Sequence, residues 1–67
     1  MHDELQETEA LYVNETARAI GVRATEKGEV IWLPKSLGAS IVHGRPERGR
    51  LVTIAAPEWL LVKEGLV

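Results

Sequence analysis

Few side chains in this sequence are suited to covalent chemistry or to metal binding. The histidines are His2 and His43, and there is no cysteine, whereas zinc sites take three or four ligands from cysteine, histidine and carboxylates. A catalytic triad around Ser36 or Ser40 would also need a pocket. A chain of 67 residues hardly encloses the ~300 Å³ or more of a usual ligand site, and no G-x-x-x-x-G-K phosphate loop occurs. The sequence therefore predicts a protein that is not an enzyme and that uses no metal or cofactor.

The pattern best suited to binding is a group of three arginines, Arg45, Arg48 and Arg50, in a segment rich in glycine and proline. Guanidinium groups form paired hydrogen bonds with phosphates and with carboxylates, so the group indicates contact with nucleic acid or with an acidic patch on a protein. Glu47 lies among the arginines, and the pI of about 5.6 lacks the basic character of typical nucleic-acid-binding domains. The plainer alternative is a solvated hairpin tip.

Acidic residues are concentrated at the N-terminus. Residues 1–15 contain five acidic side chains and no lysine or arginine, and the rest contains eight basic and five acidic ones, so formal charges of −5 and +3 combine to −2. We expect residues 1–10 to be a flexible acidic lead, because chain termini are usually loosely held, and residues 11–67 to form one small β-rich domain. The start of the chain does not resemble a signal peptide, and no apolar stretch reaches the ~18–20 residues of a membrane span. We therefore expect a cytoplasmic protein without a membrane partner.

The chain beyond residue 18 alternates short apolar runs with turn residues, as in β-rich domains. Strands are predicted over residues 19–23, 30–33, 40–43 and 51–55. A helix is predicted to begin at Pro57, where a missing N–H costs nothing, and to end at Gly65, with Leu66 folding back onto it. The fold class is therefore α+β and mainly β: a four-stranded antiparallel meander with a short C-terminal helix. The meander is either an open sheet or a small SH3-like or OB-like barrel.

The two tryptophans, Trp32 and Trp59, are predicted to pack in the core, with Trp59 docking the C-terminal helix on the sheet. The alternative is that one of them anchors an interface, since tryptophan is enriched among the residues that contribute most to binding. A helix of about two turns cannot bury all of its large apolar side chains on one face, so some of them should form an exposed patch. These side chains are Trp59, Leu60, Leu61, Val62 and Leu66. The patch would serve partner binding or self-association, and small domains often gain stability as homodimers.

Two tryptophan-containing blocks follow one another in this sequence. The first is Gly28-Glu29-x-Ile31-Trp32-Leu33-Pro34-Lys35-Ser36, and the second is Pro57-Glu58-Trp59-Leu60 followed by Gly65-Leu66. In this order, over residues 16–67, the chain resembles a group of short phage and prophage proteins that carry a similar tryptophan block and a C-terminal P-E-W-L helix. The resemblance implies a small β-rich fold that originates from a mobile element. It departs at Leu37, where that group has glutamine, and at Leu61 and Val62, where it has charged residues; these changes imply additional apolar surface on the helix.

Three functions are compatible with these observations. The first is a protein-binding inhibitor of a bacterial defence complex, comparable to an anti-CRISPR protein, because a small rigid surface is enough to block a larger assembly. The second is a nucleic-acid-binding accessory protein that uses loop 45–50. The third is a helix–turn–helix regulator built on residues 15–22, although Gly28 and the β-like run after it leave no room for a recognition helix.

The favoured partner is thus a bacterial protein complex, which can itself contain nucleic acid. The residues predicted to contact it are Arg45, Arg48, Arg50, Lys35, Trp59 and Leu61.

Overall fold

A computed structural model describes residues 4–67 of the chain and shows one five-stranded antiparallel sheet in the order β3-β2-β1-β5-β4. The strands are β1 (Leu5–Glu15), β2 (Ala19–Arg23), β3 (Ile31–Pro34), β4 (Ser40–His43) and β5 (Leu51–Pro57). A 3-10 turn, Lys35–Leu37, joins β3 to β4, and the helix α1, Glu58–Lys63, follows β5 directly. The predicted class, α+β and mainly β with a short C-terminal helix, is confirmed.

The sheet has one strand more than the sequence predicts, and that strand, β1, lies at its centre. It is 11 residues long and pairs with β2 on one side and with β5 on the other. Residues 5–10, predicted to belong to a flexible lead, therefore form the first half of the central strand, and the predicted division at residue 10 is corrected. Residues 1–3 of that lead lie outside the described part of the chain.

The glutamates of β1 explain why this strand is hard to recognise in the sequence. Side chains alternate between the two faces of a strand; here Ala10 and Tyr12 belong to the core, whereas Glu7 and Glu9 are exposed. Glutamates alternating with small or polar residues lack the large apolar side chains that identify a half-buried strand. Val52 of β5, which is paired with Ala10, supplies apolar bulk beside it.

The sheet is strongly curved, because its two edge strands, β3 and β4, are joined only by residues 35–39, which draw the two edges together. Ile20 of β2 and Ile41 of β4 line the same cavity, although two other strands separate β2 from β4 in the sheet. The edges β3 and β4 do not pair with each other. The sheet is therefore open, which is one of the two predicted forms, but its strand order is not that of a meander, in which β3 and β4 would be neighbours.

The core fills the inside of this curve. Its buried members are Ala10, Tyr12, Ile20, Val22, Leu33, Ala39, Val52, Ile54, Ala56, Leu60 and Leu61. All of these side chains except that of Tyr12 are aliphatic. Strands β1, β2, β3 and β5 each contribute at least one of them, and Ile41 of β4 packs against them. Burial of this apolar surface is the main source of stability in a chain that has no disulfide.

Helix α1 docks through residues other than the predicted one. Leu60 and Leu61 are 3% and 0% exposed, whereas Trp59 is 47% exposed and Val62 is 57% exposed. Because α1 runs directly on from β5 at Pro57, the strand fixes the direction of the helix and turns Leu60 and Leu61 towards the core. Leu61 therefore cannot contact a partner in this structure, which corrects its prediction as a contact residue.

The end of α1 follows the predicted pattern. Gly65 has a positive φ of 77°, and the N–H groups of Gly65 and Leu66 donate to the carbonyls of Val62 and Leu61. These two hydrogen bonds form a Schellman motif. Leu66 then packs against the core, so the short helix is held at both its middle and its end.

Leu61→Ala and Val62→Ala are a matched pair of substitutions that test the orientation of α1. Leu61→Ala leaves a cavity in the core and should lower the free energy of unfolding by ~2–5 kcal/mol. Val62→Ala shortens an exposed side chain and should change that free energy by less than ~0.5 kcal/mol. Urea unfolding followed by circular dichroism measures both values. Equal losses, or a larger loss at Val62, would contradict the observed orientation.

An ion pair holds the 3-10 turn against the central strand. Lys35 Nζ lies 2.6 Å from Glu15 Oε2, with both side chains about one-third exposed, and the Lys35 N–H donates to the carbonyl of Arg18. Exposed pairs of this kind contribute only ~0–1 kcal/mol, so the pair positions the turn more than it stabilises the fold. Lys35, predicted to contact a partner, thus has a carboxylate partner within the chain.

Tyr12 lies beside this ion pair. Burial raises the pKa of the Tyr12 hydroxyl above its ordinary value of 10.0, the charge of Glu15 raises it further, and Lys35 lowers it. The folded protein therefore holds the phenolic proton more tightly than the unfolded chain does.

The raised pKa of Tyr12 predicts a loss of stability at high pH. As the pH rises past the ordinary pKa of 10.0, the unfolded chain loses its proton first, so the free energy of unfolding falls until the folded phenol also ionises. Below the ordinary pKa, the folded and unfolded states both hold the phenolic proton, so Tyr12 causes no change of stability with pH. Tyr12→Phe should reduce the fall in Tm above about pH 10, and because Tyr12 is the sole tyrosine the difference reports this group alone. Identical alkaline profiles for the two proteins would exclude the effect.

Candidate interaction surface

The face of the sheet that points away from the core carries a group of large side chains brought together by strand register. Trp32 of β3 pairs with Gly21 of β2. Two residues further along β2, Arg23 pairs with Leu11 of β1, and Leu11 also pairs with Leu51 of β5. Paired residues of antiparallel strands lie on the same face. This group, which consists of Leu11, Arg23, Trp32 and Leu51, is termed the outer patch.

Trp32 is the largest side chain of the outer patch. It is 46% exposed, which corrects the expectation that it packs in the core. Its indole lies over the backbone of Gly21, because a Cβ atom at Gly21 would come within 3.0 Å of Trp32 Cζ3 and Cη2. The ring is therefore held on one side by β2 and open to solvent on the other. A side chain that is already held in place loses little freedom when it binds a partner.

The loop between β4 and β5 is fixed to β1 by hydrogen bonds. The Gly49 N–H donates to the carbonyl of Tyr12, and the Tyr12 N–H donates to the carbonyl of Arg50, both at 2.8 Å. Arg48 Nε donates to the carbonyl of Val13 at 3.4 Å. Val13 lies at a β-bulge, where the register between β1 and β2 shifts, and bulges commonly redirect the groups around them. This loop, termed the arginine loop because it contains Arg45, Arg48 and Arg50, is thus ordered as an extension of the sheet.

Glu47 divides the three predicted arginines into two kinds. Its carboxylate lies 3.5 Å from Arg50 Nε and 4.0 Å from Arg45 Nη1, so the charges of these two arginines are partly compensated within the loop. Arg48 forms no ion pair with a carboxylate of residues 4–67. Arg48 is therefore the member of the group whose charge is most available to an external anion.

Arg48 and Arg23 line one cavity of about 230 Å³. Its other lining residues are Leu11, Tyr12, Val13, Glu26 and Gly49. Arg23 Nη1 donates to the carbonyl of Glu26 at 3.2 Å, but Arg23 Nε is buried and has no acceptor among the described residues. A buried donor of a charged group without an acceptor is costly. The cavity wall therefore contains a cation whose hydrogen bonding is incomplete.

The sequence does not predict Arg23 as a contact residue, and for Trp32 it favours packing in the core over contact with a partner. A glycine inside a strand often marks the close approach of another group, so Gly21 indicates such a contact in the sequence. The identity of the approaching side chain depends on the register between β2 and β3, which the sequence does not show. The nearness of Arg23 to Arg48 depends on β1, which was not predicted as a strand at that point.

The other predicted contacts have separate places in the fold. Trp59 is exposed on α1 together with Val62, and the two form a second apolar surface. The helix–turn–helix alternative is wrong, because Ala19–Arg23 is a strand of the sheet.

The described residues were also compared with the requirements of a metal site and of a membrane-spanning helix. Within residues 4–67, no three or more histidine, aspartate or glutamate side chains are grouped so that they could hold a metal ion. No helix of the same part of the chain is long and apolar enough to cross a membrane.

Comparison of the chain with protein families, with curated proteins and with solved structures finds no match.

Gly21→Ala tests the contact between Gly21 and the indole. The added methyl group would overlap the ring and lies 3.2 Å from the Asn14 carbonyl oxygen, so it should displace Trp32 and lower the free energy of unfolding by ~1–3 kcal/mol. In a Trp59→Phe background, the fluorescence of Trp32 should shift to longer wavelength. The control is the same substitution in a Trp32→Val protein, where the loss of stability should be smaller. An equal loss with and without Trp32 would contradict the contact.

Proposed function

We propose that this protein acts by binding a macromolecular partner through the outer patch, as a stoichiometric inhibitor of a bacterial protein complex. The observation that supports this most directly is Trp32, a tryptophan fixed against the backbone of Gly21 and 46% exposed. Beside it on the same face lies Arg23, and the neighbouring loop presents Arg48. Tryptophan and arginine are the residue types most enriched at the energetic centres of protein interfaces.

The rigidity of the surface favours a protein partner. The outer patch takes its residues from four adjacent strands, β3, β2, β1 and β5, so their spacing is set by backbone hydrogen bonds and not by a loop. Binding through such a surface orders few side chains, so little of the free energy of contact is offset by lost conformational entropy. Leu51, which is 55% exposed, extends the apolar area of the patch beside Leu11.

The resemblance to short phage and prophage proteins supports the choice of target. A protein from a mobile element gains from blocking a defence complex of its bacterial host, and blocking needs a rigid surface but no catalytic group. The proposed site of action is accordingly the bacterial cytoplasm, and the proposed target is a defence assembly, which can itself contain nucleic acid.

Direct binding to nucleic acid is the second candidate, and Arg23 and Arg48 favour it, because neither pairs with a carboxylate in the described part of the chain. The charge distribution around them opposes it. Glu26 lines the same cavity, Glu47 lies in the same loop, and the formal charge of the chain is −2. A phosphate backbone would meet these carboxylates as well as the arginines.

Affinity capture from lysates of bacteria that carry defence systems tests the proposal. The tagged protein should retain a protein complex after nuclease treatment, and Trp32→Ala should abolish retention, because truncating a central interface tryptophan removes a large part of the binding free energy. Trp59→Ala is the matched comparison, since Trp59 is exposed to a similar extent, 47%, but on α1. The captured complex, once purified, should lose its activity when the protein is added in equimolar amount.

Three results would contradict this proposal. Retention that disappears with nuclease and weakens steeply with salt would favour the nucleic-acid candidate. Loss of retention in Trp59→Ala but not in Trp32→Ala would move the contact surface to α1. Full activity of the captured complex in the presence of excess protein would show that binding is not inhibitory.

A further inference from the structure

We infer that the cavity between Arg23 and Arg48 is a socket for a single carboxylate group of the protein partner. This inference rests on the proposed function, because it names the chemistry of the partner at the border of the outer patch. Both arginines line the cavity, and so does Leu11 of the outer patch. A partner that contacts Trp32 and Leu11 would therefore reach the socket with a neighbouring side chain.

The hydrogen bonding of Arg23 is the first argument for an anion. Its guanidinium group makes one hydrogen bond, from Nη1 to the carbonyl of Glu26, and its Nε is buried without an acceptor among residues 4–67. A guanidinium group has five N–H donors in a planar arrangement. The buried Nε is closed to the cavity, but an anion there would accept from the terminal nitrogens of a cation that has no carboxylate partner among residues 4–67.

Arg48 supplies the second cation in a fixed position. Its Nε donates to the carbonyl of Val13, and the adjacent Gly49 N–H donates to the carbonyl of Tyr12 at 2.8 Å. The side chain and its loop are thus both attached to β1. Two guanidinium groups held by the sheet on one cavity form charge-assisted hydrogen bonds with a carboxylate at little cost in ordering.

The size of the cavity suits a single side chain, and its lining and charge favour a carboxylate over a phosphate. Its volume of about 230 Å³ lies below the ~300–1,000 Å³ of sites for whole small molecules, so it suits a side chain or a chain end. Leu11 gives it an apolar wall that suits the methylene groups of such a side chain. Glu26 also lines it, and a second negative charge nearby disfavours a dianion more than a monoanion.

Nuclear magnetic resonance of the arginine Nε–Hε groups tests the socket without a partner. The probes are the capped amino acids acetyl-glutamate amide and acetyl-glutamine amide, acetyl-alanine with a free carboxylate, and inorganic phosphate. The Arg23 and Arg48 signals should shift saturably with acetyl-glutamate amide or acetyl-alanine, with a Kd in the millimolar range, and should not shift with acetyl-glutamine amide. Tighter binding of one carboxylate probe identifies the source as an acidic side chain or as a chain terminus.

Variants separate the socket from general charge attraction. Arg48→Gln should abolish the saturable shifts, and Arg48→Lys, which keeps the charge but loses the planar fork, should weaken binding several-fold. Arg18→Gln is the matched control, because it removes the same charge from an exposed arginine outside the cavity, and it should leave the shifts unchanged. Dispersed amide spectra of each variant confirm that it is folded.

The socket and the proposed function can fail separately. Absence of saturable shifts at Arg23 and Arg48, or tighter binding of phosphate than of either carboxylate probe, would overturn the socket. With the captured partner, Arg48→Gln should weaken binding by about tenfold or more. If Trp32→Ala abolished capture while Arg48→Gln left it unchanged, the binding function would stand and the socket would be rejected.

Discussion

The pairing of β1 on both of its edges is the interaction on which the rest of this structure depends. Without β1, the chain would consist of two separate hairpins, β2 with β3 and β4 with β5, and isolated hairpins are marginal in water. β1 joins them into one sheet, and the curvature of that sheet lets its two edge strands enclose a single core. The same strand positions the candidate surface: Leu11 lies at the centre of the outer patch, and the carbonyls of Tyr12 and Val13 accept hydrogen bonds from the arginine loop.

The distribution of aromatic residues follows from this arrangement. Aliphatic side chains and alanines fill most of the core, while both tryptophans are close to half exposed. Trp32 takes this position because Gly21, its partner across the ladder, has no side chain and lets the ring lie on the backbone. Apolar area that would stabilise the fold if buried is therefore presented to solvent, on strands whose spacing is fixed. Exposed apolar patches of this kind are common at interaction sites.

Local signals in the sequence were sufficient for most of the fold, and long-range pairing accounts for what they missed. The strands from β2 to β5 and the capped end of α1 follow from apolar runs and turn residues such as Gly65, which act over a few positions. β1 could not be recognised in this way, because its glutamates mask the alternation and its partner β5 lies at the other end of the chain. The candidate site is only partly predictable for the same reason. The arginine-rich segment indicates Arg48, but Arg23 and Trp32 lie near it only through the register of the strands.

The antiparallel ladder between β1 and β5 joins Leu5 to Pro57 and Leu11 to Leu51, so it closes a loop that spans most of the polypeptide. Contacts of such long sequence separation form late, since a large loss of chain entropy precedes them. Until β5 pairs with it, β1 has one unpaired edge, and an unpaired strand edge can pair with another chain. The exposed glutamates of β1, which make it hard to recognise as a strand, place like charges on that strand, and like charges opposite one another disfavour the pairing of two copies.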